Sequence, residues 1–221
     1  DGRLMLCLHG FPDSAHGWRR VAPLLAAAGY RVVAPFMRGY APSGVPADGN
    51  YHVGALVSDV LDLYDALGGG PDAVLVGHDW GAFASNAVAA YPNSPFNSVV
   101  SMSIPPLAAM SQATFSAART ARMGLIQLRM SWYVMYFQLP GLPERTLHRV
   151  IPRLWRDWSP PGADVADDDR RDGGRRVAAQ HLIGSQRPGQ PVGGRFDRVT
   201  RFAHGNAMLG LKGGNHRFGH E

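Results

Sequence analysis

From Leu4 to about Trp158 the chain alternates short apolar runs with stretches of helical spacing. Leu4–His9 reads as a buried strand, and Trp18–Ala28 as a helix stopped by Gly29. Tyr30–Ala34 is a second strand. Over His52–Leu67 the apolar positions Val53, Leu56, Val57, Val60, Leu61, Tyr64 and Leu67 fall at i, i+3, i+4 spacing. That spacing predicts an amphipathic helix, ended by Gly68-Gly69-Gly70. Ala73–Val76 is a third strand, Ala82–Tyr91 a helix and Asn97–Ile104 a fourth strand. Strands alternating with helices predict an α/β domain whose mostly parallel sheet is covered on both faces.

The pattern changes after Pro105-Pro106. Residues 107–158 are rich in Met, Trp, Tyr and Arg and carry no strand signal, so they read as inserted helices forming a lid, or as ordinary peripheral helices. Beyond about Pro160 it changes again. All 5 Trp and all 7 Tyr lie before residue 160, whereas the last 61 residues hold 12 of the 27 Gly. Asp167-Asp168-Asp169-Arg170-Arg171-Asp172-Gly173-Gly174-Arg175-Arg176 has no apolar face. This tail is poorly suited to finishing a sheet and reads as disordered, or as the product of a shifted reading frame. The expected division is a core over 1–106, a helical cap over 107–160 and an atypical Gly/Arg-rich tail over 161–221. With no strand visible before Leu4 or after Ile104, the sheet is expected to be incomplete at both ends and to have open edges.

Composition narrows the function classes. The net charge is +5. Residues 1–160 hold 12 Arg against 10 Asp+Glu, and residues 161–221 hold 10 Lys+Arg against 7, with no basic helix interleaved with aromatics. Nucleic acid is therefore not the expected partner. No apolar run approaches the roughly 18 residues a membrane span needs. One cysteine, Cys7, excludes a disulfide framework or a cysteine metal cluster and favours a reducing, cytoplasmic compartment. The chain starts at Asp1 almost directly on a strand, which reads as a fragment or processed start.

The chemistry concentrates in Gly77-His78-Asp79-Trp80-Gly81, between a predicted strand and a predicted helix. Strand, Gly-x-nucleophile-x-Gly turn and helix make a nucleophile elbow, here with aspartate at its centre. A carboxylate can attack an alkyl carbon and leave an ester on the protein. An Asp just before a helix also fits a simple N-cap, and His78 beside it reads as packing. Such an elbow works with a turn after an earlier strand, which supplies one backbone N–H of an oxyanion hole; the residue after the nucleophile supplies the other. His9-Gly10-Phe11-Pro12, about 70 residues before the elbow, makes those donors Phe11 and Trp80.

Together these pieces resemble the α/β-hydrolase fold and, within it, the epoxide hydrolases and their relatives the haloalkane dehalogenases. The resemblance rests on His9-Gly10-Phe11-Pro12 with Trp18, Pro35-x-x-Arg38-Gly39-Tyr40, the Asp79 elbow, and Pro105-Pro106, and covers about residues 4–158. Phe36 departs from it, since relatives usually carry an acidic residue before the Arg-Gly pair. Trp132 to Gly141 is similar to the epoxide-hydrolase lid motif, a Tyr four residues before Phe-Gln, which makes Tyr133 the ring-opening tyrosine. The resemblance implies a small apolar epoxide as substrate, hydrolysed to a vicinal diol through an ester on Asp79, with no metal or organic cofactor. A phenol suits that step because the leaving alkoxide is far more basic than a phenolate.

The resemblance also implies a late histidine and a carboxylate to activate water. His204, His216 and His220 are the late candidates, with Asp197 nearby, and none sits in a convincing motif. Two alternatives follow: a haloalkane dehalogenase using Asp79 in the same way, or a catalytically incomplete fragment that binds apolar ligands or is non-functional and does not fold stably. The Gly/Arg/Pro/His bias after residue 160 matches a frame shift in a GC-rich gene. Resequencing the coding DNA checks this: the expected outcome is a discontinuity near codon 160, and an unbroken frame rejects it.

Overall fold

The structure, a computed structural model, describes residues 2–106, 109, 116–163 and, as backbone only, 208–211. Four strands form where the sequence expects them: β1 (Arg3–Leu8), β2 (Tyr30–Pro35), β3 (Val74–His78) and β4 (Ser98–Met102). They pair in parallel in the order β4-β3-β1-β2. A fifth strand that the sequence does not signal, β5 (Met208–Leu211), lies antiparallel on β2. A four-residue edge strand needs only backbone pairing, which explains the missing pattern. The rest of the 161–221 tail beyond residue 163 lies outside the described residues.

Helices among the described residues include α1 (Ala22–Ala27), α2 (Val53–Ala66), α3 (Trp80–Ala89), α4 (Ala117–Met130), α5 (Trp132–Tyr136) and α6 (Leu142–Trp158). The helix expected over Trp18–Ala28 is instead a 3-10 turn at Ala15–Arg20 followed by α1. Pro23 is the physical reason. It has no N–H for the carbonyl four residues back, so a continuous ladder cannot pass it, but it is tolerated in the first turn of a new helix.

The topology locates the site. The chain steps from β1 outward to β2, then crosses back over β1 to β3. Right-handed crossovers therefore put α1 on one face and α2 and α3 on the other. The direction of winding reverses between β1 and β3, and such a switch point leaves a crevice at the carboxyl ends of the strands. His9-Gly10-Phe11 leaves β1 there and Asp79 leaves β3 there.

β1 is central and covered on both faces: Leu6, Cys7 and Leu8 are buried together with Val32, Leu56, Val60, Leu75 and Val88. Cys7 is the small buried hydrophobe expected of it, and burial pushes its thiol up to about 12. Coverage on both faces does not extend to β4. Val100 is 47% exposed and Met102 37% exposed, and no described strand pairs with the outer edge of β4. No described helix is long and apolar enough to cross a membrane.

Phe36 leaves Arg38 without an acidic neighbour in the chain, and α2 supplies one instead. Arg38 donates to both carboxylate oxygens of Asp59, from Nε at 2.6 Å and Nη2 at 2.5 Å. Its Nη1 donates to the Asn50 carbonyl at 2.7 Å. Burial pushes the Asp59 carboxyl above its usual range even with the guanidinium against it. Removing one partner of such a pair strands the other charge in the interior. Asp59→Ala is expected to cost about 3 kcal/mol or more, read as a shift in the urea midpoint at unchanged slope.

Candidate active site

Asp79 sits between β3 and α3 with φ 52° and ψ −113°, a left-handed conformation unusual for a residue with a Cβ. Strain of this kind costs about 1–3 kcal/mol and persists only where surrounding contacts enforce it. Here the enforcement is visible. The Asp79 N–H donates to the Met102 carbonyl at 3.3 Å, and its carbonyl accepts from Ala82 and Phe83 at 2.9 and 3.1 Å. The flanking glycines are required by close approach. A Cβ on Gly77 would run into the Gly81 carbonyl and the Ser85 hydroxyl, and one on Gly81 into the Leu8 carbonyl.

The side chain of Asp79 does not cap α3, although the residue occupies the cap position. Its Oδ1 accepts the backbone N–H of Phe11 at 2.8 Å, across 68 residues of sequence. Oδ2 accepts no hydrogen bond among the described residues. The simple N-cap reading is thereby set aside. The N–H of Gly81 is taken by the His9 carbonyl at 3.0 Å, which ties the start of α3 to the turn after β1. The N–H of Trp80, the first residue of α3, has no acceptor among the described residues. The helix N-terminus adds its own positive potential beside the carboxylate. Phe11 and Trp80, the two expected donors, are therefore both neighbours of Asp79, one by a hydrogen bond and one by sequence.

The turn after β1 is held by the His9 ring, which is 1% exposed. Nε2 accepts the Met37 N–H at 3.1 Å, so Nδ1 carries the proton and donates to the Gly10 carbonyl at 3.1 Å. The ring also meets Tyr40 edge-on at 4.5 Å. Burial lowers the His9 pKa to about 4, opposed by backbone hydrogen bonding to Gly10 and Asp13 and reinforced by the positive charges His78 and His16 can carry.

Helices α5 and α6 close over the same place through a second apolar cluster. Leu147, Val150, Ile151 and Leu154 form one stripe of α6, and they pack with Phe11 and Phe137. Trp80 belongs to this cluster and to the core beneath the sheet, so it joins the two. Within the cluster Phe11 and Tyr133 stack at 6.0 Å, with their planes 14° apart, and Trp158 meets Tyr133 edge-on at 5.0 Å.

The two lid tyrosines differ. The Tyr136 hydroxyl is bonded to Thr146 Oγ1, which in turn donates to the Leu142 carbonyl at 2.9 Å. The Tyr133 hydroxyl makes no hydrogen bond among the described residues. Burial, and secondarily the negative charge of Asp79, push the Tyr133 phenol above its usual range. His78 is half-buried. His204, His216, His220 and Asp197 lie outside the described residues. The roles of Asp59 and Thr146 had no signal in the sequence, because each partners a residue on another element. No group of His, Cys, Asp and Glu able to hold a metal occurs among the described residues.

Comparison with known proteins identifies the family. The family model for the α/β hydrolase fold matches residues 3–128. The chain belongs to that family and is an epoxide-hydrolase-like member of it. Epoxide hydrolase A of Mycobacterium tuberculosis is 36% identical over 172 residues, 74% of this chain and 50% of that protein. An epoxide hydrolase of Caballeronia sordidicola is 45% identical over 106 residues, 47% of this chain and 32% of its own length. The crystal structure of an epoxide hydrolase from Vigna radiata aligns with a TM-score of 0.59 at 25% identity, covering 82% of this chain and 64% of that one. The chain thus spans half or less of these two curated relatives.

The buried His9 generates a pH prediction. Unfolded, its imidazole takes a proton as pH falls below about 6.5; folded, it resists until about 4. The unfolded state therefore binds more protons in that window, and its relative stability grows. Stability is expected to be fully present above pH 6.5 and to fall toward pH 4, by on the order of 3 kcal/mol from this residue. Thermal melts across that range check this, and a His9→Gln variant should show a shallower decline.

Proposed function

We propose that the chain performs the opening of an epoxide by an aspartate nucleophile, the first half of the hydrolysis of an epoxide to a vicinal diol. The carrying observation is the Asp79 carboxylate, bonded at Oδ1 by the Phe11 N–H, with the unbonded phenol of Tyr133 stacked over Phe11. In the step, an Oδ2 lone pair attacks an epoxide carbon and the ring C–O bond breaks. Its electron pair stays on the ring oxygen, which takes the Tyr133 proton. The product is a β-hydroxyalkyl ester on Asp79 and a phenolate that regains its proton from solvent. The aromatic and aliphatic surroundings, Phe11, Trp80, Tyr133 and Phe137, suit a small apolar substrate, and no cofactor enters this chemistry.

Completion of the cycle requires water to attack the ester carbonyl while a base takes the water's proton. The N–H groups of Phe11 and Trp80 would hold the resulting oxyanion, and its collapse expels the diol and restores Asp79. The late histidines His204, His216 and His220, which lie outside the described residues, are the candidates for that base; without one the chain turns over at most once. In this reading residues 107–160 act as the cap, with Tyr133 as its donor and Tyr136 as part of its framework. A departing halide needs no proton, so a phenol beside the nucleophile favours the epoxide over the haloalkane. A cytoplasmic setting fits the free thiol of Cys7.

Incubation with styrene oxide followed by intact-mass spectrometry tests the reading. The expected result is either diol with unmodified protein or a stable adduct on Asp79. Asp79→Asn should give neither, and Tyr133→Phe should slow adduct formation about 100-fold. With the phenol pushed above its usual value of about 10, the rate should hold as pH rises toward 10. Absence of both products from the folded native chain rejects the proposal.

A further inference from the structure

The Gly10–Phe11 peptide is trans, so its carbonyl oxygen and its N–H point in opposite directions from one rigid plane. Both ends are engaged. The carbonyl accepts His9 Nδ1 at 3.1 Å, and the N–H donates to Asp79 Oδ1 at 2.8 Å. A bond that fixes one end of a planar group fixes the direction of the other. We propose that His9 is a positioning residue: its imidazole sets the plane of the Gly10–Phe11 peptide and thereby aims the Phe11 N–H at the Asp79 carboxylate.

The ring is well placed for this because it is itself held at every edge. Met37, which follows β2, donates its N–H to Nε2 at 3.1 Å, which requires the proton to sit on Nδ1. Tyr40 packs against the ring at 4.5 Å with the two planes 85° apart. The His9 carbonyl receives the Gly81 N–H at 3.0 Å, so the same residue anchors α3 below the nucleophile. His9 thus joins the segment after β2, the turn after β1 and the start of α3. Its neutral state persists down to a pH of about 4, so the tautomer is kept through the neutral range. The idea rests on the reading of Asp79 as nucleophile, and the test separates the two.

The two ring nitrogens can be replaced one at a time. Asn places an amide N–H where Nδ1 stands and lacks the distal acceptor. Gln can offer an oxygen where Nε2 stands and lacks the proximal donor. The native chain, His9→Asn and His9→Gln are each reacted with styrene oxide under single-turnover conditions, with thermal melts confirming a folded state. The Phe11 amide proton is followed by NMR in the same three proteins. The expected result is adduct formation about tenfold or more slower in His9→Gln, the size of one lost hydrogen bond to a charged group. His9→Asn should recover most of that loss. The Phe11 amide proton should move upfield in His9→Gln and stay near its native position in His9→Asn.

Equal slowing by both variants, or none by His9→Gln, would overturn the proposal. If the native chain forms no adduct or diol, the nucleophile reading fails and the amide signal alone decides. A shift confined to His9→Gln upholds the positioning role. Equal behaviour of the two variants ends it.

Discussion

One hydrogen bond, from the Phe11 N–H to Asp79 Oδ1, holds together the place on which everything else converges. It joins two turns that leave neighbouring strands on opposite sides of the winding reversal. Without it, the left-handed backbone at Asp79 would have no reason to present its carboxylate to the crevice rather than to the helix it begins. The bond also divides the carboxylate, engaging one oxygen and leaving the other open. A symmetric group thus becomes a directed one, as the proposed displacement at carbon requires.

The bond, 2.8 Å long, is braced from several sides. Beneath it, His9 and the Gly81 N–H lock the turn after β1 to the start of α3. Beside it, Arg38 ties the segment after β2 to α2 through Asp59 and Asn50. Above it, the apolar cluster around Phe11 and Phe137 holds Tyr133 stacked on Phe11, while Thr146 engages the Tyr136 hydroxyl. Each brace comes from a different element, so the geometry depends on the packing of the whole unit rather than on the five residues of the elbow.

This distribution explains what the sequence could convey. Strands β1 to β4 and helices α2 and α3 were legible because burial imposes a period on the chain. The elbow was legible because close approach demands glycine at 77 and 81. Tyr133 could be singled out from Tyr136 only through resemblance, since both are aromatic residues in one short helix; their difference lies in Thr146, on the next helix. Asp59 reads as one more polar position of an amphipathic helix, and nothing local marks it as the partner of Arg38. Periodicity also gave no hint that Pro23 would split a helix or that Met208–Leu211 would pair with β2, because a backbone ladder carries no side-chain pattern of its own. The late histidines fall outside the described residues, and their part in the chemistry stands as a proposal.

The open outer edge of β4 has a consequence of another kind. Among the described residues no strand pairs with that edge, Val100 and Met102 are exposed, and β3 lies between β4 and β1. A strand arriving there would be recruited by backbone pairing alone. It would extend the sheet without touching the Phe11–Asp79 bond or the braces around it. The sheet can therefore be extended at β4 while the seam between β1 and β3, where Asp79 sits, stays as it is.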